Sequence, residues 1–203
     1  MSAFPAISSA NILAIVASPG QPSAGELHQR FEPHDGSHAG MTIEIRPVTE
    51  ADLDAIDPRL GSATFFAERR ARQRDERGLL LLAWLSGNAV GCVYIAFEEA
   101  DEAGLREHLP GVPLMHRLLV VSELRNQGIG SSLVTAAEQA VRARGHAQLA
   151  LGMDIDNFAA ERLYLRLGYH QWLHGLLDTY YIVIENGQEV HVPEQCRVLV
   201  KTL

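Results

Sequence analysis

RLLVVSELRNQGIG, residues 117–130, carries an apolar strand-like run through an arginine and two closely spaced glycines into the helix-like segment SSLVTAAEQAVRARG. Gly128 and Gly130 lack Cβ atoms, so the chain can turn tightly there and let a ligand approach its backbone. The first N–H groups of a helix have no intrahelical acceptors, and the helix dipole favours an anion at that end. Arg125 can add a charge-assisted contact, and Ser131 and Ser132 can add hydroxyl donors. The same six residues, Arg125 to Gly130, also read as an ordinary strand–helix turn with structural glycines. Two nucleotide signatures are excluded by spacing. No Lys follows Gly130 as a GxxxxGK[ST] loop requires, and Leu133 stands where GxGxxG would need its third glycine.

Outward from this junction the chain alternates strand and helix signals. Upstream, TIEIRPVT reads as a first strand through Ile43, Ile45 and Val48. Thr49, with Asp52 three residues on, resembles a capping arrangement opening a helix at EADLDAI. Residues 62–77 read as a second helix, with Phe65 and Phe66 inward and the Arg and Glu residues toward water. LLLLAWL (79–85), a turn at 86–88 and AVGCVYIAF (89–97) predict an antiparallel hairpin. Residues 98–113 read as an acidic loop with a short helical turn, followed by the strand PLMHRLLVV. Downstream, Leu133, Ala136 or Ala137, and Ala140 or Val141 fall on one helical face that ends at Gly145. HAQLALGM predicts a strand, DIDNFAAERLYLRLGY a helix ended by Gly168, and HQWL, DTYYIVI and CRVLVKTL further strands, with a turn at ENGQ (185–188). The order predicts a mixed α/β sheet rather than two regular βαβαβ halves.

The chain has 203 residues, 47% hydrophobic and 21% charged, as expected of one globular domain. Its 17 Lys+Arg against 25 Asp+Glu give a net charge of -8, which argues against nucleic acid as a partner and leaves room for an amine-bearing one. Cys92 and Cys196 follow no metal or redox spacing; Cys92, within GCVYIAF, reads as a buried free thiol, no disulfide scaffold is expected, and a cytoplasmic location is. ANILAIVASPG is too short to span a bilayer and lacks a basic residue before it, so no membrane partner is expected. Residues 1–40 are rich in Gly, Pro, Ser and His and read as a flexible arm. His28, His34 and His38 lie there without a metal-site spacing, and no metal is expected. The organised domain is placed at 41–203.

The pattern resembles the GNAT superfamily of acetyl-coenzyme A-dependent N-acetyltransferases. Its central motif of Arg or Gln, two residues, Gly, one residue, and Gly or Ala matches Arg125, Gly128 and Gly130 behind the strand residues Leu118 and Val120. A second block follows in register: Leu151, Met153, Asn157, Ala160, Leu163-Tyr164 and Leu167-Gly168-Tyr169. The likeness covers roughly residues 42–203 and leaves the N-terminal arm outside.

The resemblance implies a mixed, mostly antiparallel central sheet with splayed middle strands and flanking helices, the acyl-CoA N-acyltransferase fold. It implies acetyl-CoA as the acyl donor and direct transfer to a primary amine of a small molecule or protein. The alternative is a catalytically silent acyl-CoA-binding domain. By resemblance, the coenzyme A pyrophosphate falls on Arg125, Asn126, Gln127, Gly128, Ile129, Gly130, Ser131 and Ser132. The pantetheine arm falls on the main chain of Leu119, Val120 and Val121, with Asn157 across the slot. Tyr164 matches the tyrosine that protonates the leaving thiolate; its periodicity alone reads as core packing. For the base, many family members carry a glutamate where this chain has His116, whose imidazole titrates in a suitable range. Glu98 and Glu99 are the rivals. A homodimer is compatible with the family. Residues 50–78, 98–113 and 170–180 are the variable segments expected to choose the acceptor.

Overall fold

The computed structural model describes residues 43–185 and 188–203. The expected arm, its three histidines and the centre of the ENGQ turn lie outside these residues. Seven strands form one sheet in the order β1-β2-β3-β4-β5-β7-β6. They are β1 (Glu44–Pro47), β2 (Gly78–Leu85), β3 (Asn88–Ala96), β4 (Leu114–Val120), β5 (Gln148–Asp154), β6 (His170–Glu185) and β7 (Gln188–Thr202). Four α-helices accompany them: α1 (Ala63–Arg74), α2 (Ala103–His108), α3 (Ile129–Ala143) and α4 (Phe158–Arg166).

The β2–β3 hairpin closes through Ser86 and Gly87, at φ 50 and 81. Two consecutive positive φ angles match the right-handed twist of the flanking strands. Both strands are buried on both faces, because α1 packs on one side and α3 on the other. α3 turns Ile129, Leu133, Val134, Ala137 and Val141 into the core. Each large apolar side chain buried this way stabilises the fold by roughly 1.5–3 kcal/mol.

Three expectations change. EADLDAI forms a 3-10 turn, Glu50–Ala55, because Asp52 is held by Arg46 as well as by Thr49. Arg69 does not face water: it is buried, with its guanidinium over the rings of Phe65 and Tyr94, each at 5.0 Å. HQWL and DTYYIVI are one strand, β6, whose register on β7 shifts between Gln171 and Leu176. Residues 170–180 are thus strand rather than acceptor loop.

β4 and β5 run parallel and pair only at Leu114–Ala150 and Met115–Leu151. Beyond these pairs the strands separate. Just past them Arg117 adopts φ 48, and the register of β3 on β4 shifts between Cys92 and Tyr94. The Arg117 side chain locks this bulge by donating to the Leu60 carbonyl at 3.0 Å and lying 4.4 Å from the Phe65 ring centroid. A bulge inverts the alternation of side chains along a strand. His116 accordingly lies beside Tyr94, under α1, whereas Leu118 and Val120 face the start of α3. The helix-covered faces carry two apolar cores. The larger one joins β1–β5 to α1, α3 and α4, and a smaller one under α2 contains Leu105, Leu114, Trp172, Leu177, Cys196 and Val198.

Candidate active site

A cleft of about 350 Å³ opens where β4 and β5 part. One wall is β4 (Leu118, Leu119, Val120), the floor is the loop into α3 (Leu124, Arg125, Asn126, Gly128, Gly130, Ser131), and the other wall is α4. Asn126 and Gly128 both take left-handed conformations, at φ 62 and 87. Gly128 is the N-cap of α3, with open space where a Cβ would project. Alternating backbone signs at a helix start turn successive N–H groups toward one concavity, which suits an anion. Arg125 braces this loop by donating from Nε to the Val120 carbonyl at 3.1 Å. Gly130 has a different role. A Cβ there would stand 3.8–4.0 Å from Leu163, Leu118 and Val120, so its missing side chain widens the cleft.

Seven of the predicted binding residues line the cleft: Leu119, Val120, Arg125, Asn126, Gly128, Gly130 and Ser131. The others stand apart. Val121 is buried and its N–H already donates to Val90 at 3.0 Å, so it is not available to a ligand. The Ser132 N–H is likewise engaged, closing the first helical turn onto the Gly128 carbonyl at 3.0 Å. Gln127 is exposed and folds its amide onto the Glu123 carbonyl. The Ile129 side chain anchors α3 in the core. Asn157 caps α4, its Oδ1 accepting from the Ala160 N–H at 3.1 Å, and so positions the wall rather than forming it.

The α4 wall was missed: Ala159, Ala160, Arg162, Leu163 and Arg166 line the cleft. The spacing 159, 162/163, 166 is one helical face, and that signal stood in the sequence. Arg162 and Arg166 bring two cations to a molecule of net charge -8, opposite the helix start of α3.

Tyr164 is fully buried and does not line the cleft, although Ala160, one turn earlier, does. Its ring packs edge-on against Tyr169, with centroids 5.6 Å apart. Its hydroxyl is sealed from solvent without a hydrogen-bond partner, and burial pushes its pKa well up. His116 is buried on the α1 side, its ring centroid 6.0 Å from that of Tyr94. Glu98 is no free base. One oxygen pairs with Arg72 and the other with Arg77 at 3.0 Å, pinning the end of β3 to α1 and the chain just after it. Glu99 is exposed on the loop. Cys92 and Cys196 are free and buried, and burial pushes both thiols up to about 12. Neither can supply a thiolate nucleophile near neutral pH.

A mixed sheet with two parted central strands, an anion cradle at a helix start and a cationic helical wall defines an acyl-CoA N-acyltransferase architecture. The sequence profile of the acetyltransferase (GNAT) family matches residues 44–169, more than half of the chain, and the chain belongs to that family. No curated protein matches it. Among solved structures, a ribosomal-protein-alanine N-acetyltransferase from Brucella melitensis is similar at 23% identity and TM-score 0.57, over 79% of this chain and 99% of that one. The PaiA N-acetyltransferase from Thermoplasma acidophilum, solved with coenzyme A, is similar at 15% identity and TM-score 0.55, over 80% and 99%. A GNAT family acetyltransferase from Elizabethkingia anophelis, solved with acetyl-CoA bound, gives 20% identity and TM-score 0.50 over 79% and 98%. These likenesses establish the fold. Among the described residues, no helix is long and apolar enough to cross a membrane.

Proposed function

We propose that the cleft binds acetyl-CoA and that the enzyme transfers its acetyl group directly to a primary amine. The observation that carries this reading is the cradle itself: left-handed Asn126 and Gly128 at the start of α3, facing Arg162 and Arg166 across an apolar slot. The free N–H groups at Gly128, Ile129, Gly130 and Ser131 suit the donor's pyrophosphate. Between residues 117 and 120, β4 has lost β5 as a hydrogen-bonding neighbour, so its main chain is left for the amide-bearing pantetheine arm.

The acid assigned to the departing sulfur is Tyr164, which lies one turn past the cleft-lining Ala160, so the sulfur has to reach its hydroxyl behind the α4 wall. A buried hydroxyl with no partner is costly unless a group that accepts from it arrives, and a raised pKa keeps the proton on the oxygen until then. A β4 N–H at the slot stabilises the oxyanion of the tetrahedral intermediate. A covalent cysteine route is disfavoured by the burial of both thiols. Those two reduced thiols also fit a cytoplasmic setting.

The test is amine-dependent thiol release from acetyl-CoA, together with calorimetry of donor binding. Gly128→Glu puts a carboxylate into the cradle and abolishes donor binding. Unchanged acetyl-CoA affinity in the folded variant overturns the site. Tight donor binding without turnover across a broad amine panel favours a silent acyl-CoA-binding domain.

A further inference from the structure

The donor cleft occupies one mouth of the slot, on the α3/α4 face of the sheet, so an attacking amine must come through the other. On β5, Leu149, Leu151 and Met153 join the larger core, while Ala150 joins the smaller core under α2. Alternation then puts Asp154 on the α2 face. The strand registers gather more residues there. Asp154 pairs with Cys196 of β7, Cys196 with Leu177 of β6, and Glu194 with Thr179. Glu102, the N-cap residue of α2, reaches down to this face, and its Oε1 accepts from the Thr179 hydroxyl at 3.2 Å. Three carboxylates on three different elements thereby share one face beside the parted strands. Counting up β5 from the Leu114–Ala150 pair, and allowing for the extra residue in the β4 bulge, Asp154 stands at the height of Leu118 and Leu119 of the donor cleft.

Two of the three carboxyl groups are incompletely satisfied. Glu102 is only 8% exposed, yet its Oε2 is sealed from solvent without a partner. Oε1 of Glu194 is in the same condition. No ion pair to any of the three is formed among the described residues: Arg106, the cation nearest Glu102, donates to the Ala100 and Asp101 carbonyls, while Arg197 pairs with Glu161 and Lys201 with Glu138. Nor do three acidic, His or Cys side chains among the described residues converge tightly enough to hold a metal ion. A buried carboxylate without a cation is costly, and an organic ammonium, which donates up to three hydrogen bonds, would relieve that cost.

We propose that Glu102 and Glu194, with Asp154 at the rim, bind the acceptor's ammonium group and take its proton, making this face the acceptor site of the transferase. The inference rests on the donor reading of the opposite mouth. The acceptor class is a primary amine without a carboxylate on the carbon next to nitrogen, since such a group would face three others of its own sign. One ammonium proton passes to a glutamate, and the freed electron pair on nitrogen attacks the acetyl carbonyl carbon. The C–N bond forms as the carbonyl π pair moves to oxygen, giving the tetrahedral intermediate, which loses its second nitrogen proton to solvent. Its collapse breaks the C–S bond, and sulfur leaves with that bonding pair and takes the Tyr164 proton. The glutamate then releases its proton and Tyr164 regains one, so one acetamide, one thiol and one net proton result. All three carboxyls are shifted upward, chiefly by burial, which brings them nearer the range useful to a base. The charged or titratable groups facing them are Asp101 and Arg106 around Glu102, Asp156 beside Asp154, and the Cys196 thiol between the three.

The experiment uses the full chain, with acetyl-CoA and 1,4-diaminobutane as probes. Carboxyl carbons of ¹³C-labelled glutamate are followed by NMR, with Glu102 and Glu194 assigned through Glu102→Gln and Glu194→Gln. Both signals should move on adding the diamine and stay in place with sodium chloride of equal ionic strength. Each variant should keep acetyl-CoA affinity within about two-fold and thermal stability at or above wild type, since an unpaired buried charge is removed. Amine KM should rise at least ten-fold, and the acidic limb of the kcat/KM–pH profile should move. Unmoved glutamate signals in a protein that binds acetyl-CoA overturn the acceptor site. So does an unchanged KM and pH profile in both variants with the loss confined to His116→Gln. Failure of the wild type to bind acetyl-CoA instead defeats the donor reading.

Discussion

Gly128 and Gly130 are two residues apart, yet the structure assigns them opposite responses to the same substitution. Gly128 sits at φ 87 and ψ -12, with no atom within 4 Å of an added Cβ. An alanine there fits in space but is strained by about 1–2 kcal/mol in the left-handed region. Restricting the unfolded chain returns about 0.4–1 kcal/mol, so the net loss is on the order of 1 kcal/mol. At Gly130, inside α3, φ is not positive and the nearest contact is an ordinary 3.8 Å to Leu163. Alanine there removes a helix penalty of roughly 0.5–1 kcal/mol. For a domain of this size, one kcal/mol moves Tm by about 2–4 °C. Gly128→Ala should therefore melt a few degrees below wild type and Gly130→Ala about 1–4 °C above it, by calorimetric or circular-dichroism scans. Equal shifts of one sign, or a more stable Gly128→Ala, would refute the left-handed cap and the cradle built on it.

Tyr164→Phe removes a buried donor without a partner, so Tm should hold or rise while thiol release slows by about 10²–10⁴-fold. An unaffected rate would reject the acid role. Asp52 is held well below the usual carboxylate range, first by the paired hydrogen bonds from Arg46 and then by Thr49. Its depressed pKa gives stability that is present above the unfolded value near pH 3.9 and lost as pH falls through the folded one. Asp52→Asn should thus lower Tm at pH 7, with the gap to wild type closing in strong acid. A gap that widens on acidification would contradict the pairing. The two thiols should resist an aromatic disulfide reagent in the native protein at pH 8 and react on unfolding in urea, as absorbance reports. Rapid native labelling of either would deny its burial.

The cradle was legible because it depends on local chemistry: a strand end, two glycines and a helix start all lie within fourteen residues. The hairpin and the amphipathic face of α3 were legible for the same reason. What escaped the sequence depends on distant partners. Arg117 takes a positive φ that no propensity of arginine suggests, because Leu60 and Phe65, more than fifty residues away, hold its side chain. Arg162 and Arg166 gain their place only through β4, a strand distant in sequence that lines the same cleft. Glu98 looked like a candidate base until Arg72 and Arg77 closed on it, while Glu102, four residues on in the same acidic loop, became the buried one. The charges of that loop are alike in sequence, and packing alone distinguishes them.

Only two residue pairs join β4 to β5, and the larger apolar core, which takes in Leu118 of β4 and Leu151 of β5, bridges the two strands where the pairing stops. A sheet paired along its full length would gain several backbone hydrogen bonds and would leave no room for chemistry. In the proposed donor complex the pantetheine arm would take the place of the missing strand, completing the sheet only while the donor is bound. Protection of main-chain amides on β4 against hydrogen exchange then becomes a gauge of occupancy, rising when the donor enters and falling when the thiol departs.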